Sequence, residues 1–101
     1  MATYASMTLR LYTCQDFKSD LEFRLTGITD KRMQNSWQMT AYVNLPQDDP
    51  RVLALAQEDK RLDFEQKRIE TELKAVTQEI DAIQKAMEAN IKKAHTWSAQ
   101  G

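Results

Sequence analysis

Asn44-Leu45-Pro46-Gln47-Asp48-Asp49-Pro50 gathers both prolines of the chain between two long helix-forming segments. Proline disfavours helix in the residue before it, so Pro46 ends the first segment at or before Leu45. Asp49-Pro50 reads as an N-cap followed by proline at the first helical position, where its missing N–H is not needed. The pattern predicts helix 1 over about 3–42, a turn over 43–49 and helix 2 over about 50–96. A turn this short makes the two helices antiparallel, so residues 1–101 read as a single all-α, coiled-coil hairpin.

Helix 2 carries the cleaner rhythm. Its heptad a column is Val52, Asp59, Gln66, Leu73, Ile80, Met87 and Ala94, and its d column is Leu55, Leu62, Ile69, Val76, Ile83, Asn90 and Trp97. Apolar steps of four and three are the mark of a coiled-coil seam, and polar a or d residues set register at some cost in stability. Helix 1 keeps the same step through Tyr4, Met7, Leu11, Cys14, Leu21, Leu25, Ile28, Met39 and Tyr42, interrupted by Lys18, Arg32 and Asn35. The expected intrachain seam therefore joins Met7, Leu11, Cys14, Leu21, Leu25 and Ile28 to Leu55, Leu62, Ile69, Leu73, Val76, Ile80, Ile83 and Met87. Acidic-then-basic pairs at i,i+4, Asp63 with Lys67 and Glu70 with Lys74, add a few tenths of a kcal/mol each. Gly27 within helix 1 costs up to about 1 kcal/mol against alanine and is expected at a bend or a close helix contact.

Composition narrows the function classes. The 101 residues hold 14 Lys+Arg against 15 Asp+Glu, one His, one Cys, two Gly and two Pro. Near-zero net charge, balanced in each half, gives no bulk attraction to nucleic acid or an anionic membrane. One cysteine makes no internal disulfide, and one His with one Cys makes no zinc site. The longest apolar run, Val52 to Ala56, is far short of a membrane span. Met1 to Thr13 shows no signal-peptide pattern, because Thr, Ser and Arg10 interrupt it.

The residues that bear on function lie off the seam. One outward column of helix 1 reads Leu9, Asp16, Phe23, Asp30, Trp37, with Tyr12, Phe17 and Met33 beside it; helix 2 adds Leu53, Phe64 and Ile91. Burying one such side chain is worth about 1.5–3 kcal/mol, so the whole set favours a second contact surface. Leu9, Phe17, Phe23, Met33, Trp37, Phe64, Ile91 and the terminal anchor Trp97 are the expected oligomer interface.

No catalytic, metal or cofactor constellation competes with that reading. Glu58, Glu65, Glu72 and Glu79 repeat every seventh residue, about 10.5 Å apart along the axis, too far to share a proton or an ion. They read as a salt-bridging flank. Asp59 and Asp63 share a face without the further ligands a metal needs. Cys14 reads as an inert seam thiol, and His95, with Lys92 and Lys93, as charge at a helix C-terminus. Nothing orients Cys14 and His95 as a catalytic pair. Phosphate-binding glycine loops are absent. The expectation is a non-enzymatic protein without cofactors.

Two resemblances follow from quoted stretches. Pro46-Gln47-Asp48-Asp49-Pro50-Arg51-Val52-Leu53-Ala54-Leu55-Ala56-Gln57 resembles the turn of type III secretion needle subunits: proline, polar residues, proline, then an Ala/Leu-rich helical turn. Here three residues separate the prolines. Ser19-Asp20-Leu21-Glu22-Phe23, Thr71 to Lys85 and Asn90-Ile91-Lys92-Lys93 are similar to stretches of uncharacterised small bacterial two-helix proteins. The first resemblance implies a structural subunit that self-assembles into a homopolymer, a needle-like filament exported without a leader. Its partners would be further copies of itself and a secretion apparatus. The alternative is an intracellular coiled-coil adaptor or chaperone that binds a different protein through the same face; another coiled-coil protein is one such partner.

Overall fold

The computed structural model describes residues 3–100, with side chains described as far as Ala94. It contains two helices, α1 (Tyr4–Ala41) and α2 (Pro50–Gln100), joined through the proline turn as a helical hairpin; no strand occurs among the described residues. The α2 helix runs past the expected end near residue 96, because no proline or glycine interrupts Trp97 to Gln100.

Local chemistry explains the helix ends. Thr3 caps α1: its Oγ1 accepts from the Ser6 amide at 3.1 Å and its carbonyl accepts from the Met7 amide at 3.0 Å. At the other end the Tyr42 amide still bonds the Gln38 carbonyl at 3.1 Å, after which a turn closes from Leu45 N–H to Tyr42 C=O at 3.0 Å. A second turn brings the Asp49 amide to the Pro46 carbonyl at 3.0 Å. Asp49 then caps α2, its Oδ1 accepting from the Arg51 amide at 2.9 Å while its carbonyl accepts from Leu53 at 3.0 Å. The Arg51 guanidinium closes back on the same carboxylate at 3.1 Å and lies 5.7 Å from the centre of the Tyr42 ring, within cation–π range.

The chain divides into two compact units. Unit 1 combines residues 1–20 with 73–101, and unit 2 is the continuous span 21–72, which includes the turn. The core of unit 1 is Met7, Val76 and Ile83; that of unit 2 is Leu21, Ile28, Leu55, Leu62 and Ile69. All eight are heptad d residues. The a residues Leu11, Leu25, Leu73, Ile80 and Met87 are only half-buried, as is the d residue Cys14, because two helices close over just one line of each seam. Tyr4, at the outer end of the α1 stripe, is exposed.

Polar residues replace apolar ones in the unit 2 seam, and they find one another. Arg32, an a residue of α1, donates from Nε and Nη2 to the two carboxylate oxygens of Asp59 at 3.0 and 3.2 Å. Its Nη1 reaches Asp63 Oδ1 at 3.0 Å and Gln66 Oε1 at 2.8 Å. Gln66 in turn donates to Glu70 at 2.9 Å, and Lys67 pairs with Asp63 at 3.0 Å. Thus the α1 interruption sits between the two α2 interruptions, Asp59 and Gln66. Glu70 meets Gln66 instead of the expected Lys74. Asn35, the next d residue, buries an amide nitrogen that has no hydrogen-bond partner.

Gly27 departs from expectation. A Cβ built there meets nothing within 4 Å, and the backbone needs no positive φ. No close contact within the chain calls for the glycine.

Candidate assembly surface

The seam geometry fixes what faces outward. With a and d residues turned inward, heptad positions b, c and f form the back of each helix. In unit 2 the back of α1 presents Phe23 at 80% exposure, Trp37 at 66% and Met33 at 50%, with Asp30 between the two aromatics. The back of α2 presents Phe64 at 70%. In unit 1, Leu9 and Phe17 on α1 and Ile91 on α2 are likewise exposed. Seven of the eight expected interface residues therefore stand in water in the isolated chain; the eighth, Trp97, has a side chain outside the described part. Tyr12, Leu53 and Val43 extend the exposed apolar set. Val43 escapes the heptad reading because it lies in the turn, where periodicity carries no information.

Charge distinguishes the two backs. Phe64 has helical neighbours at i−4, i−3, i+3 and i+4, and these are Lys60, Arg61, Lys67 and Arg68. All four are exposed. Arg61 pairs along the helix with Glu65 at 2.7 Å, Arg68 with Glu72 at 3.5 Å and Lys67 with Asp63. These are solvent-exposed i,i+4 pairs of small net worth, readily exchanged for other partners. The back of α1 in unit 2 carries no base: Phe23, Thr26, Gly27, Asp30, Met33, Gln34 and Trp37 make it apolar with one acid. Asp30 has no ion pair among the described residues.

Between the backs, one flank of unit 2 opens into a groove of about 470 Å³, floored by the seam residues Ile28, Leu62 and Ile69. Arg24, Lys31 and Gly27 form its α1 wall, and Arg61, Glu65, Arg68 and Glu72 its α2 wall. The expected glutamate flank is thus present, but Glu65 and Glu72 bond bases of their own helix. In unit 1, Glu79 accepts from Arg10 of α1 at 2.7 Å. Cys14 stands beside that pair; burial first, then the Glu79 charge, push its thiol above the ordinary value of 9.0, and Arg10 opposes them. A thiol shifted upward is protonated at neutral pH and a poor nucleophile. The His95 side chain lies outside the described part.

Among the described residues no group of three or more His, Cys, Asp or Glu side chains converges as a metal site. No described helix is long and apolar enough to cross a membrane. No family model, curated protein or solved structure matches the chain.

Proposed function

We propose that this protein is a structural subunit that self-assembles, through the outward faces of its helices, into a homopolymer, a needle-like filament exported from the cell. The observation that carries this reading is the row of large apolar side chains on the helix backs, Phe23, Trp37 and Phe64 foremost, each about two-thirds exposed or more. Singly exposed apolar residues are ordinary, but this many on outward helix columns mark a surface that is covered in use. The quantity of surface agrees. The chain leaves 8026 Å² to water, where a folded monomer of 11.7 kDa ordinarily leaves about 5,900 Å². The needle-like turn sequence supplies the export and filament part of the reading.

The mechanism is packing. The seam holds the hairpin, and the backs supply contacts between copies. Replacing Phe23 and Trp37 together with Ser removes two anchors that touch little within the chain. The expected result is intact helicity by circular dichroism with loss of sedimenting assemblies. Assembly persisting at wild-type concentrations overturns the interface.

A further inference from the structure

We infer that assembly is head-to-tail: the back of α1 docks on the back of α2 of a second copy, so each chain carries two different halves of one interface. This inference rests on the self-assembly reading above and adds its polarity and its contacting groups.

The argument comes from unit 2 and begins with charge. Phe64 is exposed among Lys60, Arg61, Lys67 and Arg68, with no acid on that back. Phe23 and Trp37 are exposed on either side of Asp30, with no base on theirs. Joining two α2 backs would bring four basic side chains of one copy, three of them paired only along their own helix, against four of the other. Joining two α1 backs would leave both Asp30 carboxylates without a cation. Only α1 against α2 gives Asp30 a cation and sets the bases around Phe64 against an acid and aromatic faces instead of against like charges. Arg and Lys heads also stack on indole faces, which suits Trp37 facing the ring of bases around Phe64.

The spacings fit as well. Phe23, Asp30 and Trp37 recur every seven residues, and so do Lys60 with Lys67 and Arg61 with Arg68. Both backs therefore repeat at about 10.5 Å along their helices. Gly27 lies one turn from Phe23 and one from Asp30, and leaves a notch there with nothing within 4 Å of a would-be Cβ. A glycine that no internal contact requires is suited to the close approach of an outside side chain, and Phe64 is the knob of the right kind.

The consequence is directional. An interface made of two unlike patches leaves each pair with one free α1 back and one free α2 back, so growth continues unless a ring closes. Each interior copy then covers two patches. A standard interface takes about 800 Å² from each partner, and two such patches, about 1,600 Å² together, fit within the surplus of about 2,100 Å² that the chain's 8026 Å² leaves over an ordinary monomer.

Sedimentation velocity on two complementary variants tests this. Phe23→Ser with Trp37→Ser disables only the α1 back; Phe64→Glu disables only the α2 back. Each variant alone should be monomeric, and a 1:1 mixture should give a heterodimer that grows no further. Wild-type assembly with a mixture that stays monomeric overturns the polarity and leaves self-assembly standing. Wild-type chain that stays monomeric overturns both. Asp30→Lys, a surface change unable to disturb the seam, serves as the folding-neutral check. It should raise the concentration needed for assembly about tenfold, and an unchanged concentration counts against the charge pairing.

Discussion

At Gly27 a single residue separates folding from use. Within a helix, glycine costs about 0.5–1 kcal/mol against alanine because it loses more backbone freedom on folding. A Cβ there would meet nothing within 4 Å. Gly27→Ala should therefore stabilise the hairpin by about 0.5–1 kcal/mol, raising the thermal midpoint of dilute, unassembled protein by several degrees. A lower midpoint would mean that the glycine answers a need inside the chain. Asp49 and Asp63 make a second residue-level case. The Arg51 side chain and then its amide hold Asp49 below the ordinary 3.8, and Lys67, ahead of Arg32, does the same for Asp63. A carboxyl with a lowered folded-state pKa binds fewer protons folded than unfolded. Its contribution is complete above the ordinary value and is lost as pH falls through the lowered one. The thermal midpoint should accordingly hold between neutrality and about pH 4, where ordinary carboxylates begin to protonate, and fall below it. A midpoint that rises on acidification below about pH 4 would contradict these assignments.

Among the elements, the polar inserts of the unit 2 seam matter most. Arg32 holds Asp59 in a two-pronged bond and reaches Asp63 and Gln66 across the same interface. Sliding either helix by one heptad would set the guanidinium between Val52 and Asp59 or between Gln66 and Leu73 and break part of the network, so the network favours this register. Replacing Arg32, Asp59 and Gln66 together with Leu should raise the thermal midpoint, since well-packed apolar groups commonly outperform a half-buried ion network. The same change should broaden the distance distribution between spin labels on α1 and α2. A single sharp distribution in the triple variant would place register control elsewhere. The sequence discloses this element unevenly. Both prolines, the Asp49 cap and the four-three steps announce two helices and a turn. The interruptions at Arg32, Asp59 and Gln66 are visible too, but periodicity treats each helix alone and does not say that they meet. Thr3 as the first cap also goes unread, because the apolar pattern at that end is faint. The exposed column on α1 is plain from spacing, whereas the ring of bases around Phe64 emerges only when i±3 and i±4 neighbours are taken together.

For the whole molecule, the core and the surface point in different directions. Eight buried apolar side chains form the cores of the two units, while larger ones, Phe23, Trp37 and Phe64 on the helix backs among them, remain in water. A chain selected only to fold would reverse that distribution, since each large apolar side chain moved out of water is worth about 1.5–3 kcal/mol. The surplus makes sense when neighbouring copies finish the burial that the hairpin leaves undone. Light scattering with negative-stain microscopy of the purified wild-type chain over a concentration series tests this most directly. Large, uniform assemblies that grow with concentration are the expected result. A monomer or dimer persisting at the highest concentration would contradict self-assembly and turn the exposed backs into a docking site for a different protein.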